Sequence, residues 1–144
     1  MLSTEESTPS GELRTADGSG HTALVAESNA LQRAITADLL TSRGFSVVLA
    51  ETGEEALERI RCGGIDLLVC AMLMTGMDGF ELLRTLRKTA PGLPIIAVVP
   101  GMSEIDEIYM RGAAALGAAK VFTQPLTPRV FFNSIGELLR VQVG

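Results

Sequence analysis

Five short apolar runs, each separated from the next by a stretch with helical spacing, constrain this chain more than any other feature. The runs are Thr22 to Ala26, Ser46 to Ala50, Leu67 to Cys70, Pro94 to Val99 and Ala119 to Phe122. Each is mostly apolar throughout, which predicts strands covered on both faces. In the stretches between them, Leu31, Ile35 and Leu39 recur at four-residue intervals, and Ala56, Leu57 and Ile60 line one side of the next helix. Strands alternating with helices give a parallel sheet with right-handed crossovers. Five such units in a chain of 144 residues predict an α/β fold: a (βα)5 doubly wound parallel sheet of flavodoxin type, strand order 2-1-3-4-5.

Helix boundaries are marked in the sequence. Thr52 with Glu55, and Asp78 with Glu81, have the spacing of capping boxes. Ser103 precedes the fourth helix, and Thr127 followed by Pro128 opens the fifth. Gly44 and Gly117 stand where the first and fourth helices end, as left-handed caps. Residues 1–20 are rich in Ser, Thr, Glu and Gly and lack periodic apolar spacing, so a disordered tail is expected there and a single domain over 21–144.

Composition excludes several classes of function. A net charge of -5 argues against direct binding of nucleic acid, which calls for a basic stripe. No apolar run approaches the length of a membrane span. The start lacks the basic and apolar regions of a signal peptide. Cys62 and Cys70 are too few for a disulfide framework or a zinc site, and both are expected as reduced thiols of a soluble cytoplasmic protein. The single His21 has no companion ligand nearby in sequence, and P-loop, nucleophile-elbow and zinc-helix motifs are absent.

In an open parallel sheet, the ligand crevice lies beyond the carboxyl ends of the strands, at the switch between the first and third. The residues due there are Glu27, Ser28 and Asn29, then Ala71, Met72 and Leu73, then Val99, and Gln124 with Pro125. An enzyme would crowd this rim with carboxylates, a lysine or phosphate-binding glycines. Here it holds one carboxylate, a hydroxyl, amides and apolar groups, so no enzyme is expected. Ser28 or Asn29 would cap the first helix.

The segments Ala23 to Asn29, Asp66 to Gly79 with its Met77-Asp78-Gly79 turn, Pro94 to Val99, Gly117-Ala118 and Gln124-Pro125 resemble the receiver domain of two-component response regulators. Ser46 to Leu57 resembles its second strand and helix. The resemblance runs from about Thr22 to Leu139, and it implies a place in phosphorelay signalling. Receivers hold Mg²⁺ with an acidic pair after the first strand, where this chain has Glu27 and Ser28. The phosphoacceptor aspartate would stand at Ala71, the phosphoryl-binding hydroxyl at Val99, the lysine at Gln124 and the aromatic switch residue at Val121. Of these, only Glu27 keeps the group the chemistry needs. The main-chain carbonyl completing the metal shell would come from Leu73.

The residue types then imply a degenerate site. One carboxylate holds Mg²⁺ weakly at best, and a methyl group cannot form an acyl phosphate. The losses are also consistent with one another, because a lysine at 124 without its acidic partners would be a poorly compensated charge. The resulting expectation is a pseudo-receiver that binds no cofactor and acts through contact with a signalling partner. The contact face would be made by the fourth helix, fifth strand and fifth helix, with Tyr109, Val121 and Phe122 as candidates. A homodimer is a further option. The alternatives are a crevice that senses a small ligand and a phosphorylatable receiver with a substituted acceptor. Cys70 is expected to be an inert buried thiol. The methionines Met72, Met74 and Met77 read as loop packing, with an adaptable contact surface as the weaker alternative.

Overall fold

The computed structural model describes residues 18–101 and 104–143. The expected tail lies outside these residues as far as residue 17. Its last three residues are placed: Gly18 is buried, and its N–H donates to Arg43 O at 2.6 Å.

Five strands, β1 (Thr22–Ala26), β2 (Ser46–Ala50), β3 (Leu67–Ala71), β4 (Ile95–Val99) and β5 (Lys120–Thr123), alternate with five helices. The helices are α1 (Ala30–Ser42), α2 (Gly53–Arg61), α3 (Gly79–Thr89), α4 (Ile105–Ala115) and α5 (Pro128–Val143). The sheet is wholly parallel in the order β2-β1-β3-β4-β5, as the alternation of elements predicts.

Strand alternation divides the interior into two cores. Leu24, Leu68, Cys70, Ala97 and Val99 face α2, α3 and α4, where they meet Ala56, Leu82, Leu86 and Ala113. Val25, Leu67, Val69, Ile96 and Val98 face α1 and α5, where they meet Leu40, Phe131, Phe132 and Ile135. β1, β3 and β4 are buried on both faces, apart from the first residue of β1. The two edge strands are not: Leu49 of β2 is 46% exposed, at the edge where the sheet ends.

The helix signals hold with some adjustments. Thr52 Oγ1 accepts from Glu55 N–H at 3.1 Å and Asp78 Oδ1 from Glu81 N–H at 2.9 Å. Glu55 reaches back to the N–H of Glu51, one residue earlier than a capping box requires. Pro128 opens α5, and Gly44 and Gly117 adopt φ of 94° and 102°. Ser103 lies outside the described residues, and α4 begins after Glu104, whose side chain makes no capping bond.

The core-facing stripe of α1 differs from the expected one. Leu31 and Ile35 are exposed, whereas Thr36 and Leu40 are buried. A four-residue spacing drifts around a helix of 3.6 residues per turn. The buried line runs through Thr36 and Leu40, one position later in the chain and about 100° further around the helix, with Leu39 at its edge.

Candidate functional site

The β1–α1 loop is built around Glu27. Its N–H extends the strand pairing by donating to Ala50 O at 3.0 Å. Its side chain turns inward and is only 9% exposed. One carboxylate oxygen accepts from Asn29 N–H at 3.1 Å, and the other lies 3.4 Å from Gln124 Nε2. Burial pushes the Glu27 carboxyl above the usual carboxylate range. The bonds from Asn29, Gln124 and Ser28 and the field of Arg33 oppose that rise.

Asn29 is the helix cap, its Oδ1 accepting from Gln32 N–H at 2.9 Å. Ser28 does different work. Its hydroxyl donates to Glu51 O at 2.7 Å and accepts from Thr75 N–H at 2.8 Å, so it fastens the β1–α1 loop to the loops after β2 and β3. Arg33, one turn into α1, folds back over the same loop. Its Nη1 donates to Glu27 O at 2.9 Å, and its Nη2 lies 3.8 Å from the Glu51 carboxylate. Sequence reasoning missed Arg33. The available signal was a lone basic residue four positions after the cap, where a helical side chain leans back toward the preceding turn.

Ala71 ends β3 and is 7% exposed. Gly79 lets the start of α3 approach it closely: a Cβ there would lie 2.7 Å from Met72 Cα. Met72 is fully buried and Met74 and Met77 pack against the same cluster, so the methionines fill the loop. Gln124 follows β5 with its N–H donating to Val99 O at 2.9 Å, and the Gln124–Pro125 peptide is cis. Gly101 sits over it at φ 78°, where a Cβ would come within 2.5 Å of Gln124 O.

Glu27, Ala71 and Gln124 converge on one cavity of about 300 Å³ at the carboxyl ends of the strands. Its remaining walls come from Asn29, Gln32, Leu73, Val98 and Pro100. Val99 is not among them. Strand alternation turns its side chain into the core under α3 and α4, where it is 1% exposed. Val121 packs toward that same core, whereas Phe122 points to the opposite face of the sheet and meets Phe131 edge-on. Tyr109 is half-buried with its ring stacked on Phe80, centroids 5.0 Å apart. These three do not form one exposed patch. The exposed apolar residues of α4 are Ile105 and Ile108.

Cys70 is fully buried, and burial, assisted by the negative charges of Glu27 and Asp78, pushes its thiol up to about 12. Cys62 is exposed. His21 lies at the opposite end of the sheet, with its Nδ1 3.9 Å from the Asp66 carboxylate. Among the described residues, no group of three or more His, Cys, Asp or Glu is arranged to hold a metal ion. No helix among them is long and apolar enough to cross a membrane.

Comparison with known proteins agrees with this architecture. The chain is 32% identical over 100 residues to the transcriptional regulatory protein GlrR of Escherichia coli, covering 69% of this chain and 22% of that protein. It is 30% identical over 101 residues to the alkaline phosphatase synthesis transcriptional regulatory protein PhoP of Bacillus subtilis, covering 70% of this chain and 41% of that one. It thus spans less than half the length of either. A CheY-like receiver domain protein from Methanospirillum hungatei superposes with a TM-score of 0.75 at 25% identity, over 85% of this chain and 96% of that one. A putative response regulator from Chloroflexus aurantiacus gives 0.76 at 25% identity, over 83% and 98%. The response regulator receiver domain family matches residues 23–135, and the chain belongs to that family.

Proposed function

We propose that this receiver domain signals through protein contact, independently of phosphoryl transfer. The observation that carries the reading is Ala71, whose methyl group stands at the end of β3 on the cavity where a phosphoacceptor carboxylate would be needed. Its neighbours support the same reading. Val99 and Val121 offer no hydroxyl and no aromatic ring, and Gln124 supplies a neutral amide in place of an ammonium.

Magnesium does not fit the donor set. Mg²⁺ favours hard oxygen ligands in near-octahedral geometry, usually with carboxylates among them. Here Glu27 is the one carboxylate on the cavity, and the Ser28 hydroxyl is already engaged with Glu51 and Thr75.

The partner in this reading is another signalling protein, or a second copy of the chain, meeting the face of α4, β5 and α5. Ile105 and Ile108 of α4, 56% and 67% exposed, supply apolar area on that helix, beside Tyr109, which is half-buried against Phe80 of α3. The domain would be a cytoplasmic, non-enzymatic module without direct nucleic-acid contact. The experiment is a pair of amide NMR spectra, before and after addition of Mg²⁺ with beryllofluoride, an acyl-phosphate mimic. Unchanged spectra are expected. Saturable shifts at Glu27, Ala71 and Val99 would overturn the reading. A second reading, recognition of a small ligand, is favoured by the cavity itself.

A further inference from the structure

The cavity at the strand ends carries charge of one sign. Glu27 contributes a carboxylate, Asn29 and Gln124 contribute neutral amides, and no lysine, arginine or histidine is among its lining residues. Ala71, Val98 and Pro100 form the apolar part of the wall. The nearby guanidinium of Arg33 is directed at main-chain oxygens and at Glu51, outside the cavity. A carboxylate that is only 9% exposed and faces no cation within its own cavity is costly to keep charged. A ligand bringing one positive charge and an apolar body would offset that cost.

We infer that this cavity is a binding site for a primary alkylammonium group, a charged nitrogen on a short apolar stem. One negative charge matches a monovalent cation, whereas a divalent metal would find too few carboxylates. The ammonium has three donors and no acceptor, and Glu27 together with the carboxamide oxygen of Gln124 can accept from it. The stem would lie along Ala71, Val98 and Pro100. At about 300 Å³ the cavity is at the small end of ligand pockets, which suits a stem of a few carbons. The same chemistry could arrive as a free amine or as a lysine side chain of the partner. The inference rests on the reading that the crevice takes no phosphoryl group, and the beryllofluoride spectra test that reading separately.

The test is amide NMR of the intact chain titrated with n-butylamine, n-butanol and Nα-acetyl-lysine amide. Saturable shifts at Glu27, Ala71 and Gln124 are expected with n-butylamine and not with n-butanol. Glu27→Gln removes the charge without changing shape, and Gln124→Lys places an internal ammonium on Glu27. Each should weaken n-butylamine binding by about ten-fold or more, equivalent to about 1.4 kcal/mol. The unperturbed resonances of β2 and α5 report that the variants fold. Binding of Nα-acetyl-lysine amide alone would support the site and identify a partner lysine as its source. Equal shifts with n-butanol, undiminished binding in Glu27→Gln, or no saturable shift with either ammonium probe would overturn the inference.

Discussion

The hydroxyl of Ser28 accepts a hydrogen bond at 2.8 Å from the main-chain N–H of Thr75, a residue 47 positions further along the chain, while donating to Glu51 O at 2.7 Å. One small side chain thus closes three loops over the crevice. Ser28→Ala removes both bonds, but the orphaned groups are exposed and regain water. The expected loss is therefore about 1 kcal/mol, or a fall of roughly 4 °C in Tm, measured by thermal unfolding. Ser28→Asp should lose more, because a carboxylate cannot donate to Glu51 O and stands beside Glu27. An aspartate variant as stable as the native chain would show that the hydroxyl is not what holds the loops.

Glu27 predicts a pH dependence. Its carboxyl is held above the usual carboxylate range, chiefly by burial. A group that holds its proton more tightly when folded contributes stability below its unfolded value, and that contribution is lost as pH rises through the folded value. Glu27→Gln abolishes the loss. The variant should therefore gain on the native chain between mildly acidic and neutral pH, as read from urea midpoints at each pH. A difference that is flat with pH would mean that the hydrogen bonds from Asn29 and Gln124 cancel the effect of burial, and a difference of opposite slope that they outweigh it.

Much of this was legible in the sequence because the fold writes itself in short-range patterns. β1, β3 and β4 are runs that no exposed segment would contain, and Thr52, Asp78 and Gly117 announce helix ends by mechanisms that act within a few residues. The identities at 27, 71 and 124 could be read because they stand at strand ends, which the topology brings together. What could not be read depends on direction. The choice between Ile35 with Leu39 and Thr36 with Leu40 as the buried line of α1 turns on a rotation of one residue, about 100°, around the helix axis. The convergence of Ser28 on Thr75, and of Arg33 on Glu27 O, depends on loop paths that no local spacing encodes. The separation of Val121 from Phe122 follows from strand alternation, yet Tyr109 was assigned to their face from the helix it sits on, and its stacking on Phe80 required the packed structure.

The two cysteines should differ sharply in reactivity. The thiolate is the reactive form, and Cys70 is fully buried with its thiol pushed up to about 12, whereas Cys62 is exposed. With a disulfide reagent at neutral pH, one thiol should titrate quickly in the native protein and the second only after denaturant is added. A Cys62→Ser variant that still titrates quickly without denaturant would show that β3 opens often enough to expose Cys70.

Gly112 tests how closely α3 and α4 must approach. An alanine in a helix interior ordinarily stabilises by about 1 kcal/mol relative to glycine. Here a Cβ would stand 2.5 Å from Phe80 Cε1, and the Phe80 ring is held flat against Tyr109 with an interplanar angle of 4°. The ring cannot retreat without breaking the stack, and overpacking of this kind costs on the order of 1–3 kcal/mol. Gly112→Ala should therefore lower stability by about 1 kcal/mol net, despite the better helix propensity. Because the chain has one tyrosine and no tryptophan, near-ultraviolet circular dichroism reports on Tyr109 directly, and its band should weaken in the variant. A higher urea midpoint with an unchanged tyrosine band would show that Phe80 yields freely, and that the spacing of α3 and α4 is set elsewhere in the core.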